Sequence, residues 1–382
     1  PKAQQDALAG VLDEVGWVQE VIVNRTTGHV VDGHLRVSLA ISREELQIPV
    51  KYVELTPEEE ALVLATLDPL ARMAATAKDA LEELLADVKP GSDAVTAMLE
   101  DVARGAGLNG AKEGLTDPDA IPAAEPIAKR GDVWVCGDHR VMCGDSTDVG
   151  DVARLMAGEK AGLYATDPPY GIAYDSRAGK PDGHQRRVAW EEIEGDDQTD
   201  AAIQPFLEDV FGAWLPHLRD NAAWYLWHGM LTQAFFATAA TTAGLLLHRQ
   251  IIWRKPRLII GRGDYHWQHE LCFYGWRKGN RPPFYGERNQ TSVWEVDYDG
   301  RKNPIGQEHP TQKPVALWER PIANHLRSTE IAADPFLGSG TTMIAAERLG
   351  RRCYGMEIEP RYVDVAVKRW EEFTGRKAER GR

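Results

Sequence analysis

The sequence predicts an α/β protein: a mostly parallel sheet covered by helices, preceded by a smaller α+β unit. Three observations predict it. From about residue 131 onward, short apolar segments alternate with helical ones, as parallel strands joined by crossover helices require. Near the end of the chain a glycine-rich strand-to-helix junction occurs, Asp334-Pro335-Phe336-Leu337-Gly338-Ser339-Gly340-Thr341-Thr342. Between the two regular parts, residues 105–130 lose periodicity and become rich in Gly, Pro, Ala and acids. A chain of 382 residues suits one large and one small domain. The expected division is residues 1–104, a linker over 105–130, and 131–382.

In the front unit, Val21-Ile22-Val23 and His29-Val30-Val31 read as strands around the turn Thr26-Thr27-Gly28. Leu35 to Ile41 reads as a helix after Gly33, and residues 48–53 as another strand. Thr56-Pro57-Glu58-Glu59 opens a helix, with Thr as cap, Pro at the first position and acids in the first turn. Its Leu/Ala spacing continues, with breaks, to about Ala103. In the large unit the strand candidates are Asp132–Cys136, Gly162–Thr166, Ala223–Trp227, Leu247–Trp253, Leu271–Tyr274, Ile331–Asp334 and Cys353–Ile358. Met343 to Leu349 reads as a helix stopped by Gly350.

Bulk composition excludes some classes. No run of about 18 apolar residues exists to span a membrane, and no secretory pattern opens the chain, which points to the cytoplasm. The four cysteines, Cys136, Cys143, Cys272 and Cys353, form no close pair with histidines, so no metal is expected. The net charge of −14 is unevenly spread. Residues 1–130 hold 12 Lys/Arg against 23 Asp/Glu, whereas residues 249–303 hold 11 against 6. A nucleic-acid footprint needs only such local positive charge.

The glycine junction lets the backbone turn sharply and approach a ligand closely. The strand after its helix ends at Glu357, where a carboxylate can accept hydrogen bonds from ribose hydroxyls. No Gly-Lys-Ser/Thr follows, so it is not a phosphate loop. Asp167-Pro168-Pro169-Tyr170 follows another apolar segment, Ala161–Ala165. Its prolines remove two backbone donors and stiffen a strand end. Methylating an aromatic amine requires drawing the nitrogen lone pair out of ring conjugation. The Asp167 carboxylate and the Pro168 carbonyl can do so by accepting from the two N–H bonds, while Tyr170 stacks on an extruded base. No cysteine follows a proline, which argues against a covalent cytosine-C5 route.

These residues resemble the DNA amino-methyltransferases in their beta, circularly permuted arrangement, with the catalytic motif first and the cofactor motif last. The resemblance runs from about Gly131 to Arg376. It implies a Rossmann-like sheet, S-adenosylmethionine as cofactor and double-stranded DNA as partner. By the resemblance, Asp145 and Ser146 of Gly144-Asp145-Ser146 meet the cofactor adenine. Lys313 and Pro314 of His309-Pro310-Thr311-Gln312-Lys313-Pro314 help hold its methionine end. Asp334, Phe336, Gly338, Gly340, Thr341 and Thr342 form the loop, and Glu357 binds the ribose. The catalytic set is Asp167, Pro168, Pro169 and Tyr170. The Asp-Pro-Pro-Tyr form implies adenine N6, with cytosine N4 as the alternative. Target recognition is implied over residues 254–303, where Arg254, Lys255, Arg257, Arg262, Arg277, Lys278 and Arg281 are the expected DNA contacts. Arg177 to Asp197 reads as a polar loop that could close over the flipped base.

Residues 18–55 resemble the ParB-like, or sulfiredoxin-like, domain through Gly28-His29-Val30-Val31-Asp32-Gly33-His34-Leu35-Arg36. That resemblance implies a nucleotide held at Gly33 and Arg36, and fusions of this kind resemble phage or mobile-element proteins. A homodimer is a further expectation. Two other readings stand beside the first: a ParB-like DNA- or nucleotide-binding protein with a non-catalytic methyltransferase fold, and methylation of RNA or a protein amide.

Overall fold

The computed structural model describes residues 2–17, 19–60, 63, 93–105, 111–170, 202–259, 264–296 and 313–381. The chain divides into two units, Pro1–Gly110 and Ala111–Arg382.

The first unit opens with a helix the sequence reading missed, α1 (Lys2–Val15). Strands β1 (Val21–Asn24) and β2 (Val30–Asp32) pair antiparallel, α2 (His34–Ser42) follows, and β3 (Val50–Val53) pairs parallel with β1. The order is β2-β1-β3. Helix α3 (Asp93–Gly105) packs on α1. The cap expected at Thr56 is a reciprocal capping box. The Thr56 amide donates to Glu59 Oε2 at 2.9 Å, and the Glu59 amide to Thr56 Oγ1 at 3.3 Å. Most of the helical run expected beyond it lies outside the described residues.

The second unit is built on a ten-stranded sheet. Its strands are β4 (Val133–Cys136), β5 (His139–Cys143), β6 (Ala161–Thr166), β7 (Leu218–His228), β8 (Leu245–Ile259), β9 (Trp267–Arg277), β10 (Val293–Glu295), β11 (Ile331–Asp334), β12 (Arg352–Glu357) and β13 (Glu379–Arg380). The order is β10-β8-β9-β7-β6-β11-β12-β5-β4-β13. The five central strands β7, β6, β11, β12 and β5 run parallel; β4 and β13 extend one side antiparallel, and on the other β9 and β8 are antiparallel to their neighbours before β10 closes the edge parallel to β8. β6 is buried along its whole length, as a central strand covered on both faces must be.

Side chains alternate between two cores. Leu163 and Ala165 face a layer made by α7 (Val315–His325), α8 (Thr341–Arg348) and α9 (Pro360–Thr374). Tyr164, and Ala161 ahead of an irregularity between Ala161 and Leu163, face the layer of α4 (Val149–Met156), α5 (Ile203–Trp214) and α6 (Gln233–Thr242).

Several expected elements change in extent: β7 and β9 run longer at both ends, and two further departures bear on the site. β8 runs six residues past Trp253, because β9 backs it; its pairing is broken between Arg254 and Ile259, the stretch holding Pro256. Residues 111–130 are irregular, as their composition predicts, yet they do not hang free as a linker. The Lys112 amide donates to the Arg348 carbonyl and the Leu115 amide to Phe373. Asp119 accepts from the Val315 amide, and Asp364 accepts from the Ile127 and Ala128 amides. The segment straps the second unit.

Candidate active site

In an open parallel sheet, ligands bind beyond the carboxyl ends of adjacent strands whose onward connections diverge. Here those strands are β6 and β11: β6 leads to β7 on one side, β11 to β12 on the other. Asp167-Pro168-Pro169-Tyr170 leaves the end of β6 and the glycine loop leaves the end of β11. The two motifs are tied together, since Thr166 Oγ1 donates to Asp334 Oδ1 at 2.7 Å.

Asp334 is a buried organiser of the loop. Its carboxylate also accepts from Thr342 Oγ1 at 2.5 Å and from the Phe336 amide at 3.1 Å. Burial pushes it up to about 6 despite these donors. Gly338 and Gly340 take left-handed φ of 53° and 84°, and Gly340 starts α8. Four expected cofactor contacts therefore spend their polar groups inside the protein. They are Asp334, Thr342, Thr341, whose Oγ1 accepts from Arg369, and Ser146, whose Oγ donates to the Pro335 carbonyl at 2.7 Å. Asp145, Phe336 and Glu357 are only half-buried at the rim. Asp145 Oδ1 accepts from the Thr147 amide and hydroxyl. Phe336 lies 5.8 Å from the Phe206 ring. Glu357, at the end of β12, accepts from the Gly338 and Glu359 amides, both at 2.9 Å, and burial pushes it up to about 7.

On the other side of Asp334 lies a buried charge cluster. Tyr170 donates its hydroxyl hydrogen to Asp167 Oδ1 at 2.9 Å. Lys313, expected at the methionine end of the cofactor, directs its ammonium at Asp167 Oδ2 and at the Tyr170 oxygen, 3.1 Å away. The same ammonium is 3.2 Å from Glu270, whose other oxygen is 2.5 Å from Lys255. It also lies over the Trp227 and Tyr170 rings, at 5.0 and 5.5 Å. Pro314 caps α7 and so fixes the backbone beside Lys313. Burial raises Asp167 above the usual carboxylate range, against the pull of Lys313. Burial acts the same way on Glu270, but two ammonium groups outweigh it and hold Glu270 low. Lys313 is raised, because its two carboxylates outweigh burial. His228, stacked on Phe273 at 4.0 Å and beside Gln250, is lowered by burial to about 4 and so stays neutral near pH 7.

The cluster residues absent from the sequence reading are Glu270, Trp227 and His228. Glu270 left one faint signal, an acid placed directly before the apolar run Leu-Cys-Phe-Tyr. A strand-borne acid is costly to bury unless paired.

The expected DNA contacts divide. β7 ends at His228, opposite Leu271, so residues 253–259 and 267–270 of the β8–β9 hairpin extend beyond the carboxyl end of β7. Arg254, paired with Glu295 at 2.8 Å, and exposed Arg257 lie on that hairpin with Leu258, Tyr265 and Trp267, also exposed. Lys255 is there too but is committed to Glu270. Arg277 belongs to the opposite end of the sheet, bonded to Asp220 and the Leu215 carbonyl near the start of β7. Lys278 follows it in the turn, and Arg281 acts electrostatically on His248, near the start of β8. These three are therefore not brought to the catalytic rim. Arg262, His309–Gln312 and the 177–197 loop lie outside the described residues. In the first unit, Gly33 has φ 94°, while Arg36 donates to the Glu20 carbonyl and to Gln19. All four cysteines are buried thiols, and no described helix is long and apolar enough to cross a membrane.

Comparison with known proteins matches residues 162–368, more than half of the chain, to the DNA methylase family that covers N6 and N4 methyltransferases. The type II methyltransferase M.HpaI of Haemophilus parainfluenzae is 39% identical over 257 residues, spanning 62% of this chain and 76% of its own. M2.MboI of Moraxella bovis is 26% identical over 232 residues, spanning 56% and 81%. Among solved structures, the M1.HpyAVI–SAM complex aligns with a TM-score of 0.45 at 22% identity, covering 60% of this chain and 97% of that one. The cytosine-N4-specific PvuII methyltransferase aligns at 0.45 and 14%, covering 66% and 89%. The matched span holds Asp167, Glu270, Lys313, the glycine loop and Glu357, and the chain belongs to the N6/N4 family of DNA methylases.

Proposed function

We propose that the protein transfers a methyl group from S-adenosylmethionine to the exocyclic N6 of adenine in double-stranded DNA, acting on a base flipped out of the helix. The observation that carries this reading is the bond between Thr166 and Asp334, which sets the Asp-Pro-Pro-Tyr motif beside the glycine loop.

The loop residues suit a nucleoside cofactor without phosphates. Glu357 and Asp145 are acceptors at the half-buried rim, Phe336 is a flat apolar ring, and no phosphate loop is present. In this reading Glu357 accepts from the ribose hydroxyls, Asp145 and Phe336 hold the adenine, and Gly338 and Gly340 let the backbone approach. Ser146, Thr341, Thr342 and Asp334 shape the loop from behind. The cofactor, when bound, supplies an electrophilic methyl group on a sulfonium.

Asp167 is the group that acts on the target. Its ionised carboxylate accepts a hydrogen bond from the amine and draws the nitrogen lone pair out of conjugation. Pro168 and Pro169, having no N–H, keep competing donors away from that carboxylate. Tyr170 offers its ring to the extruded base and is braced by Phe236, edge-on at 6.3 Å. The half-buried setting excludes bulk water, which strengthens each of these bonds. An aspartate opening the motif favours adenine over cytosine.

The test is incubation with unmethylated genomic DNA and methyl-labelled cofactor, followed by nucleoside mass spectrometry. Labelled N6-methyladenine is expected. N4-methylcytosine in its place would overturn the base assignment, and absence of label would overturn the enzymatic reading.

A further inference from the structure

We propose that Glu270 is a positioning residue that gives the Lys313 ammonium a second berth, so that Lys313 leaves Asp167 when the target amine arrives. This rests on the methyl-transfer reading above and adds a role for residues that reading leaves unused.

The argument starts from what Asp167 must do. It has to be ionised in a buried site, and it has to present an oxygen to an N–H donor. Burial alone opposes the first requirement by favouring the protonated acid. A neighbouring ammonium meets it, and Lys313 is that neighbour. The same ammonium then violates the second requirement, because it occupies Oδ2 and turns N–H bonds toward the space the amine needs. The lysine therefore has to stay near Asp167 without remaining bonded to it.

The cluster is built for that exchange. Lys313 is nearly fully buried, with 4% of its side chain exposed, so it cannot retreat to water. Glu270 Oε2 already lies 3.2 Å from its Nζ, so transfer from one carboxylate to the other needs no rotation of the backbone. Lys255 holds Glu270 Oε1, which keeps Oε2 facing Lys313. The sequence of charges is Lys255, Glu270, Lys313, Asp167, two of each sign, and it stays neutral with the ammonium at either berth. The groups facing Asp167 are Tyr170 from its own loop, Glu270 and the neutral thiol of Cys272 from β9, Lys313 before α7 and Asp334 from β11. Among these described groups, Glu270 gives Lys313 its second ion pair.

The experiment measures single-turnover methyl transfer against pH for the full chain and five variants, with cofactor binding and thermal melting as controls for folding. Glu270→Gln keeps the size and removes the charge. Lys313 then stays on Asp167, so the rate falls by about 10- to 100-fold. The acid limb of the profile moves to lower pH, because a negative neighbour has gone. Glu270→Asp recovers part of the rate. Lys313→Met moves the acid limb to higher pH, and adding Glu270→Gln to it costs nothing further, since Glu270 acts through the lysine. Lys255→Met, which leaves Glu270 dependent on Lys313, also moves the limb to higher pH and keeps the test decisive if Glu270→Gln does not fold. Wild-type rate and limb in Glu270→Gln, an unmoved limb in Lys255→Met, or multiplied penalties in the double variant would each overturn the proposal. A wild-type protein that transfers no methyl group at all would instead overturn the reading on which it rests.

Discussion

Replacing Glu357 by Gln tests the cofactor side of the site through stability as well as binding. In the folded protein burial raises this carboxylate from 4.5 to about 7. A rise of about 2.5 units corresponds to about 3 kcal/mol at roughly 1.36 kcal/mol per unit. The folded state holds the proton more tightly than the unfolded chain. The contribution is therefore fully present below pH 4.5 and is lost as the pH climbs through 7. The variant has no proton to lose. Urea unfolding at pH 4.5 and 8.5 should show the stability of Glu357→Gln rising relative to wild type by about 3 kcal/mol across that interval, whatever its offset at the acid end. The gain in stability comes with a loss of binding. An amide presents one acceptor where the carboxylate presents two, and the Gly338 and Glu359 amides already compete for them. Affinity for S-adenosylmethionine by calorimetry should fall by about 10- to 100-fold at pH 8. Parallel stability curves for the two proteins would refute the buried-acid argument, and unchanged cofactor affinity would refute the assignment of Glu357 to the ribose.

Three further outcomes follow from the geometry. Asp167→Asn should cut methyl transfer by on the order of a thousandfold or more while cofactor affinity holds; loss of both together would contradict the separation of the two half-sites. Gly340→Ala should destabilise the protein by about 1–3 kcal/mol in urea, because φ is 84° and the new Cβ would lie 2.9 Å from Ala366; a neutral result would remove the steric argument for that glycine. Arg257→Ala on the hairpin should weaken DNA binding and reduce its salt slope by about one, whereas Lys278→Ala should leave both unchanged. The reverse pattern would move the DNA footprint to the other end of the sheet.

The sequence by itself determined the α/β class, the seven strands it named in the large unit and the three in the front one, the helix cap at Thr56 and the two motifs at strand ends. These are local matters: strand and helix periodicity, proline and glycine stereochemistry, and the strand–loop–helix–strand context that puts Glu357 after a glycine loop can all be read within a few dozen residues. Tertiary structure decided who touches whom. It set the Lys313 ammonium on Asp167, because β6 and the segment before α7 meet only once the sheet has formed. It brought in Glu270, whose only trace in the sequence was an acid directly before an apolar run, and it turned Lys255 inward to that acid. It also carried Arg277 and Lys278 away from the site, because β9 runs antiparallel to β7 and its end falls at the far edge of the sheet. Charge in a sequence says that a region is basic. Strand direction and the need to pair every buried ion settle where each charge goes.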